Sequence, residues 1–318
     1  MNCGRRNYWV MLVLLSFGNV ATYAQLKGDH ILGDVGLNAG TQPPPSLTVF
    51  VPLYGYDASR LADSNGDIIN RHPDMNAYIV GLGGIIVTNL KIAHANYSAS
   101  ILLAWAADRI EGNAIQDKSS LAFSDIYVQP VELGWHAPRA DYIVGYGLYI
   151  PTGKYEWNGE GNSGLGMWGH ELSAGGTWFF DDNKSLSFST VAFYETHSKK
   201  RGTEVRVGDL VTLEGGINKT FYKKISGATT PMPISAGVVY YMQWKVTDDQ
   251  IPIANTVFTG TKDHLYAMGL EINALHPKTF TSLSLRWLGE FGAKNRFEGN
   301  TFFITIAQAL ASFEKSEK

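Results

Sequence analysis

The residues best suited to covalent chemistry in this sequence are two histidines with polar neighbours. His170 precedes Glu171, and His197 precedes Ser198 in a stretch that reads as a surface loop. A hydrolase needs its base and nucleophile on one face, within hydrogen-bond reach. Adjacent residues of a strand point to opposite faces, so neither pair fits that arrangement. We therefore expect no enzymatic activity and no catalytic residue, with a hydrolase as the weaker alternative.

Metal-binding residue types show no strong local pattern. The 8 histidines are scattered, and no two have the spacing that places ligands together on one element. The stretch from Asp63 to Asp67 resembles the start of a calcium loop, but the carboxylate required five residues beyond Gly66 is missing. Cys3 is the only cysteine, which excludes a disulfide framework. We expect no metal and no cofactor, and a solvated turn at Asp63.

Several charged or aromatic residues fall on the inward phase of alternating segments and should share an interior. They are Glu171, Glu195, Glu214, Tyr241, Glu271, Arg286 and Glu290. Such groups either line a path for solute or form an ion-pair network that fills the interior. Glu271 and Arg286 lie on neighbouring segments joined by a short link, so their spacing predicts an ion pair across the two strands.

The segments that carry these residues alternate with a period of two. Leu283, Leu285 and Trp287, for example, alternate with Ser284 and Arg286. Each segment has about ten residues, the length that a tilted membrane strand requires. About 12 strands are predicted, at 47–56, 76–89, 96–106, 125–135, 141–151, 168–180, 185–195, 209–222, 234–246, 264–274, 280–291 and 301–310. The pattern predicts an all-β fold, a transmembrane antiparallel β-barrel.

The links between these segments alternate in length, as they do in outer-membrane barrels. Long polar links fall at 57–75, 107–124, 152–167, 196–208, 247–263 and 292–300, and shorter ones at 90–95, 136–140, 181–184, 223–233 and 275–279. An even strand number with this alternation predicts that both termini are periplasmic. The alternation slips at Pro130 and between Phe188 and Val191, and we expect a β-bulge at each place.

The first residues have the features of a secretory signal peptide. Arg5 and Arg6 precede an apolar run at 8–17 that is too short to span a bilayer, and small residues end the segment at Ala24. We therefore divide the chain into a signal peptide at 1–24, a glycine-rich segment at 25–45, a barrel at 46–313 and a tail at 314–318. The segment 25–45 is expected to be either a periplasmic tail or a small plug inside the barrel.

Composition supports a membrane location. Charged residues make up 17% of the chain, below the roughly 25% of soluble domains, as expected when much of the surface meets lipid. The net charge of −3 gives no electrostatic footprint for nucleic acid. The expected location is the outer membrane. The expected partners are its lipid bilayer, the outer-membrane assembly machinery and a small hydrophobic solute, and the oligomeric state is left open.

Several short motifs resemble the outer-membrane β-barrel family named for the MetA pathway of phenol degradation. They are Pro43-Pro44-Pro45, Pro130 with Leu133-Gly134-Trp135, Pro151-Thr152-Gly153-Lys154-Tyr155, Thr177-Trp178-Phe179-Phe180-Asp181 and Leu213-Glu214-Gly215-Gly216. The resemblance extends over about residues 43–310 and implies a barrel linked to the uptake of aromatic or other hydrophobic compounds. The ending at 312–318 departs from the aromatic last residue of many such barrels.

The inward face mixes acids with small and apolar residues, whereas a general porin lines its channel mainly with polar groups. The apolar members include Val239, Tyr241, Ala267 and Leu288. We expect Val239 and Tyr241 to face water or solute, so that Asp at either position would not disturb assembly. The favoured function is a channel for small hydrophobic or aromatic compounds. The alternatives are an adhesive or structural barrel that acts through its loops, and a secreted β-sandwich or lipocalin-like binder.

Overall fold

The computed structural model of the chain describes residues 26–70, 74–111, 116–157, 159–253, 256–258 and 262–313. The expected signal peptide and the tail at 314–318 lie outside the described residues and stay predictions. The described part contains no helix long and apolar enough to cross a membrane.

Twelve long strands form the body of the molecule, close to the predicted positions. They are β1 Ser46–Ala62, β2 Asp74–Ile92, β3 Ala95–Glu111, β4 Ile126–His136, β5 Ala140–Ile150, β6 Gly169–Phe179, β7 Leu186–His197, β8 Leu210–Lys223, β9 Met232–Lys245, β10 His264–His276, β11 Thr281–Lys294 and β12 Phe297–Ser312. Short strands at Ile68–Asn70, Gln116–Lys118, Ala122–Phe123, Ile251–Ile253 and Thr256–Phe258 belong to the long links.

The sheet closes on itself, because each strand pairs antiparallel with the next and β12 returns to β1. In this last pairing Ser46 lies opposite Ser312, and Leu61 lies opposite Phe297. Closure leaves no unpaired edge, which is what a strand-built membrane protein requires. The predicted antiparallel barrel is confirmed, and the β-sandwich alternative is wrong.

The outward face is a belt of apolar side chains. On β11, Leu283, Leu285 and Trp287 are 44%, 42% and 42% exposed, while Arg286 between them points inward. The belt continues on the neighbouring strands as Leu270, Ile272, Ile304 and Ile306. Exposed apolar residues in a continuous band are stable against lipid and unfavourable against water. The belt therefore marks the height at which the bilayer surrounds the barrel.

One of the two predicted bulges is present. The register of β3 against β4 shifts between Ser98 and Ser100, and that of β4 against β5 shifts between Val128 and Val131. Pro130 lies inside the second interval. Proline has no N–H to donate to a neighbouring strand, which explains why the ladder breaks there.

The bulge predicted between Phe188 and Val191 is wrong, since β7 keeps an unbroken register with both neighbours. What changes along β7 is the character of the inward face. Ser189 is inward near one end, and further on Val191 and Phe193 are inward and buried. These two pack against Val35, so an apolar partner inside the barrel replaced the polar lining that the sequence pattern assumed.

Residues 26–45 run through the interior of the barrel. At the long-link end, Leu26 packs with Met167, Val205 and Val207. Near the short-link end, the Gln42 amide donates to the hydroxyl of Ser98 at 2.9 Å. The strands β1 and β12 begin and end at the short-link side, as expected. The segment before β1 starts at the opposite end and runs inside the barrel, which corresponds to the plug, one of the two arrangements expected for residues 25–45.

Two glycines let the segment fit inside. Gly33 has a φ of 80°, a left-handed conformation that glycine adopts without steric cost. Gly40 lies against the wall, where an added Cβ would be 2.2 Å from the backbone of Gly176. The glycine-rich composition that argued against a helix is therefore what allows close packing.

Leu285→Arg tests the lipid-facing belt. A guanidinium at this outward position would enter hydrocarbon, so we expect the free energy of unfolding in a bilayer to fall by about 2–4 kcal/mol. Denaturant titration of the reconstituted barrel measures this. Leu285→Phe, which keeps the position apolar, is the matched control, and equal stability of the two variants would contradict the assignment of this face to lipid.

Candidate functional site: the occupied lumen and its outer cavity

The side chain of His30 lies between two carboxylates of the barrel wall. Its Nδ1 is 2.8 Å from Oε2 of Glu171 on β6, and its Nε2 is 3.2 Å from Oε1 of Glu214 on β8. All three side chains are no more than 3% exposed. A buried charge is tolerated when it is paired and hydrogen-bonded, and this arrangement satisfies both nitrogens of the imidazole. His30 thus fixes the segment against β6 and β8.

Backbone N–H groups of the segment also donate to carboxylates of the wall. The N–H of Gly33 donates to Oε1 of Glu214 at 2.7 Å, and that of Leu37 donates to Oε2 of Glu271 at 3.0 Å. Hydrogen bonds to an ionised acceptor are stronger than those between neutral groups. Because the segment has no strand or helix of its own, wall carboxylates supply the partners that secondary structure would otherwise provide.

The predicted pair of Glu271 and Arg286 is present. The two residues lie directly opposite each other on β10 and β11, and Nε of Arg286 donates to Oε2 of Glu271 at 2.8 Å. The Ser284 hydroxyl donates to the other carboxylate oxygen at 2.9 Å. The Arg286 guanidinium also donates to the carbonyl of Gly33. This pair holds the segment in place as well as joining two strands.

Tyr241 and Glu290 form a separate buried contact. The Tyr241 hydroxyl donates to Oε1 of Glu290 at 2.5 Å, and the Tyr56 hydroxyl donates to Oε2 at 2.8 Å. Tyr241 is 0% exposed and belongs, with Val239, to a cluster covered by Leu32 and Leu37 of the segment. The expectation that Tyr241 and Val239 face water or solute is therefore wrong. Asp at either position would bury an unpaired charge and disturb the fold.

The structure thus brings the predicted interior residues together, but in two roles. Glu171, Glu214, Glu271 and Arg286 contact the segment, whereas Glu290 lines a cavity beside it. Sequence reasoning missed His30, a single histidine among glycines and loop-type residues. Nothing in its local pattern indicates that it faces two acids more than a hundred residues away.

His197 also differs from expectation. It is the last residue of β7 and is fully buried, not part of an exposed loop. Its Nε2 lies 2.5 Å from Oε1 of Glu195, and the Glu195 carboxylate also accepts the backbone N–H of Asp29. Because Glu195 and His197 are two apart on a strand, they share the inward face. His170, by contrast, is exposed beside Tyr146 on the outward face.

A cavity of about 250 Å³ lies at the long-link end of the lumen. Ile31 and Leu32 of the segment line it on one side. The wall supplies apolar and aromatic residues from β1 to β5, among them Tyr54, Met75, Ile79, Leu102, Ala104, Tyr127 and Tyr149. A second cavity of about 190 Å³ lies along the same segment and shares His30, Ile31, Leu102, Tyr127 and Tyr149 with the first. The occupied lumen is therefore not filled on every side.

The loops above the cavity are tightly bonded. The ammonium of Lys200 donates to the carbonyl of Leu165 at 2.8 Å. Burial lowers the pKa of Lys200 to about 8, although nearby Asp29 acts in the opposite direction.

At Asp63, the carboxylate accepts the N–H groups of Asn65 and Asp67 at 2.7 and 3.0 Å, which is the expected exposed turn.

Comparison with known proteins agrees with this architecture. The model of the family described as "Putative MetA-pathway of phenol degradation" matches residues 58–306. The crystal structure of the COG4313 outer membrane channel from Pseudomonas putida F1 superposes with a TM-score of 0.69 at 12% identity, covering 89% of this chain and 100% of the channel. The beta domain of the Bordetella autotransporter Brka gives a TM-score of 0.48 at 11% identity, covering 83% of this chain and 100% of that domain. No curated protein matches in sequence.

Replacing His30 tests the attachment of the segment. In His30→Ala, Glu171 and Glu214 would lose the imidazole between them, so we expect the free energy of unfolding to fall by about 3 kcal/mol, typical of a broken buried pair. Ion conductance of single barrels in planar bilayers should rise as the segment loosens. His170→Ala, at an exposed position, is the control. Equal stability and conductance of the two variants would show that His30 does not hold the segment.

Proposed function

This chain belongs to the family described as "Putative MetA-pathway of phenol degradation", and we propose that it is an outer-membrane channel for small hydrophobic and aromatic compounds. Uptake through such a channel needs only binding and diffusion of the solute. The main support for the proposal is the cavity of about 250 Å³ at the long-link end of the lumen. That end faces the cell exterior, since the long links of outer-membrane barrels are extracellular.

One part of the lining of this cavity suits an apolar solute, whereas charged residues such as Asp125, Glu290 and Arg296 line the rest. Ile79, Leu102 and Ala104 present aliphatic surface, and the segment adds Ile31 and Leu32. Removing apolar area from water stabilises a bound molecule by roughly 25 cal/mol per Å². A site of this kind binds by burial of area, while a few polar groups orient the ligand.

Tyrosine rings give the cavity its aromatic character. The rings of Tyr127 and Tyr149 contact each other at 4.7 Å between centroids, tilted by 46°, and their hydroxyls both donate to Glu171, at 3.0 and 3.2 Å. Because both hydroxyls are hydrogen-bonded to Glu171, a solute in the cavity would contact the tyrosines through their ring surfaces. Aromatic pairs gain about 0.5–1.5 kcal/mol beyond area burial, which favours phenol-like molecules over aliphatic ones of equal size.

The route proposed for solute passes beside the segment and does not require its removal. The two cavities share Leu102, Tyr127 and Tyr149, so these side chains separate one cavity from the next. Rotation of a few side chains is a smaller change than breaking the buried carboxylate contacts of residues 26–45. The segment would then act as a plug that narrows the lumen to the β1–β5 side and excludes larger or hydrated solutes.

Filling the outer cavity tests this function. Ala104 points into the cavity from β3, so Ala104→Phe should occupy the space and lower the uptake of a labelled phenol several-fold. Uptake is measured in cells and normalised to the amount of folded barrel, judged by heat-modifiable gel mobility. Glucose uptake in the same cells reports whether the effect is specific for apolar solutes.

The matched control is Ile101→Phe, three residues earlier on the same strand and exposed on the outward face. It adds a similar ring where lipid accepts it, so phenol uptake should stay at the level of the unmodified protein. Unchanged uptake in a folded Ala104→Phe barrel would contradict the channel proposal. It would favour the alternative in which the outer loops bind a partner and the lumen carries nothing.

A further inference from the structure

Three potential metal ligands converge at the outer end of the lumen, from two parts of the chain. Asp29 belongs to the segment 26–45, and Glu195 and His197 lie at the end of β7. One ligand atom from each lies within 4.8 Å of the others. Nε2 of His197 is 2.5 Å from Oε1 of Glu195 and 3.9 Å from Oδ2 of Asp29. The three side chains are no more than 2% exposed.

One carboxylate oxygen of Asp29 has no hydrogen-bond partner in this cluster. This atom, Oδ2, is buried, and Nδ1 of His197 likewise has no partner. An unpaired buried carboxylate oxygen is costly, and buried charges are normally paired or coordinate a metal. Within the described part of the chain, the one ion-pair contact of Asp29 is the 3.9 Å approach of His197. Oδ2 therefore points into the cluster without a donor.

Two lysines at this end of the lumen have hydrogen-bond or ion-pair partners outside the cluster. Lys200 donates to the carbonyl of Leu165 at 2.8 Å. Lys245 lies 2.9 Å from Asp249 and 2.8 Å from Asp263. The cluster thus holds two carboxylates and one imidazole in a buried place. A divalent cation would offset the carboxylate charges and supply Oδ2 with its missing partner.

The described residues contain a second group of possible ligands, around His30, but none of its buried ligand atoms is without a hydrogen-bond partner. Both nitrogens of His30 already have carboxylate partners, at 2.8 and 3.2 Å. Both oxygens of Glu214 accept backbone N–H groups, from Gly33 and Val35. Asp34, the third member, is 42% exposed.

At the outer cluster, both oxygens of Glu195 likewise accept backbone N–H groups, from Asp29 and His30. The difference between the two groups is Oδ2 of Asp29, a buried ligand atom without a hydrogen bond that a metal could bind.

We propose that Asp29, Glu195 and His197 form a binding site for a divalent metal ion of the zinc class. Carboxylate oxygen and imidazole nitrogen together suit Zn²⁺ better than Ca²⁺ or Mg²⁺, which prefer oxygen alone. Three protein ligands leave one tetrahedral position for water. Asp29 also lines the outer cavity, which gives the ion a path from the exterior.

Such an ion would connect the segment to the wall. Asp29 precedes His30, so the metal bond would add to the carboxylate contacts that hold the segment. The inference is independent of the proposed transport function, because it concerns only the attachment of residues 26–45. It predicts a barrel whose plug is more firmly fixed when the metal is present.

Titration calorimetry with ZnCl₂ tests the site, using the full barrel in detergent after treatment with a chelator. We expect one ion per chain. Asp29→Asn and His197→Ala should each weaken binding at least about tenfold, a loss that changes to outer partners of a ligand already cause. His170→Ala, which removes an exposed histidine, should bind like the unmodified protein. Parallel titrations with CaCl₂ and MgCl₂ should give much weaker binding.

A second measurement separates a metal bond from a folding defect. The temperature at which the folded gel band disappears should rise with zinc in the unmodified protein and in His170→Ala, but not in Asp29→Asn. Asp29 lies outside the strands, so this variant can keep its barrel and still lose the ion. No zinc binding to the folded unmodified protein would overturn the proposal. So would unchanged binding in folded Asp29→Asn and His197→Ala, or binding of calcium as tight as that of zinc.

Discussion

Buried carboxylates inside a closed barrel need donors, and a chain segment without secondary structure needs acceptors. Glu171, Glu214 and Glu271 and the residues 26–45 meet both needs at once, through His30 and through backbone N–H groups. Neither side would be stable alone, because an unpaired buried charge or N–H costs more than an ordinary hydrogen bond contributes. The position of the segment, and hence the shape of the lumen, depends on this mutual satisfaction.

This interaction makes the lumen asymmetric. From Asp29 to Leu37, the acids that hold the segment come from β6, β7, β8 and β10, so this part lies against that half of the wall. Near the short-link end the segment also reaches the other half, where Gln42 donates to Ser98 on β3 and Glu132 on β4. The cavities lie mainly along the half formed by β1 to β5, which supplies their aliphatic and tyrosine lining. A single irregular segment therefore both narrows the passage and decides which side chains a solute would meet. Glu290, on β11, lines the first cavity and keeps its contacts with tyrosines instead.

Local sequence patterns predicted most of the barrel correctly, because the residues that define a membrane strand are consecutive in the sequence. The outward residues of such a strand face lipid and must be apolar, whereas the inward residues face the lumen and need not be. The alternation therefore appears in the sequence with a period of two. The bulge at Pro130 could be predicted for the same reason, since the missing N–H of a proline interrupts strand pairing at that residue. The bulge predicted near Phe188 was wrong. The inward residues Val191 and Phe193 of β7 are apolar because they pack against Val35, which is remote in sequence, so no change of strand phase is needed.

The sequence by itself determined the strand number, the lipid-facing belt and even the ion pair of Glu271 with Arg286, whose register follows from a short link. Only the tertiary structure decided what fills the barrel. It placed residues 26–45 inside, covered Tyr241, and brought Asp29 to Glu195 and His197. Strand pairing propagates from neighbour to neighbour along the chain and is encoded locally. Contacts between an irregular segment and a distant wall have no period, so they follow only from the closed three-dimensional shape.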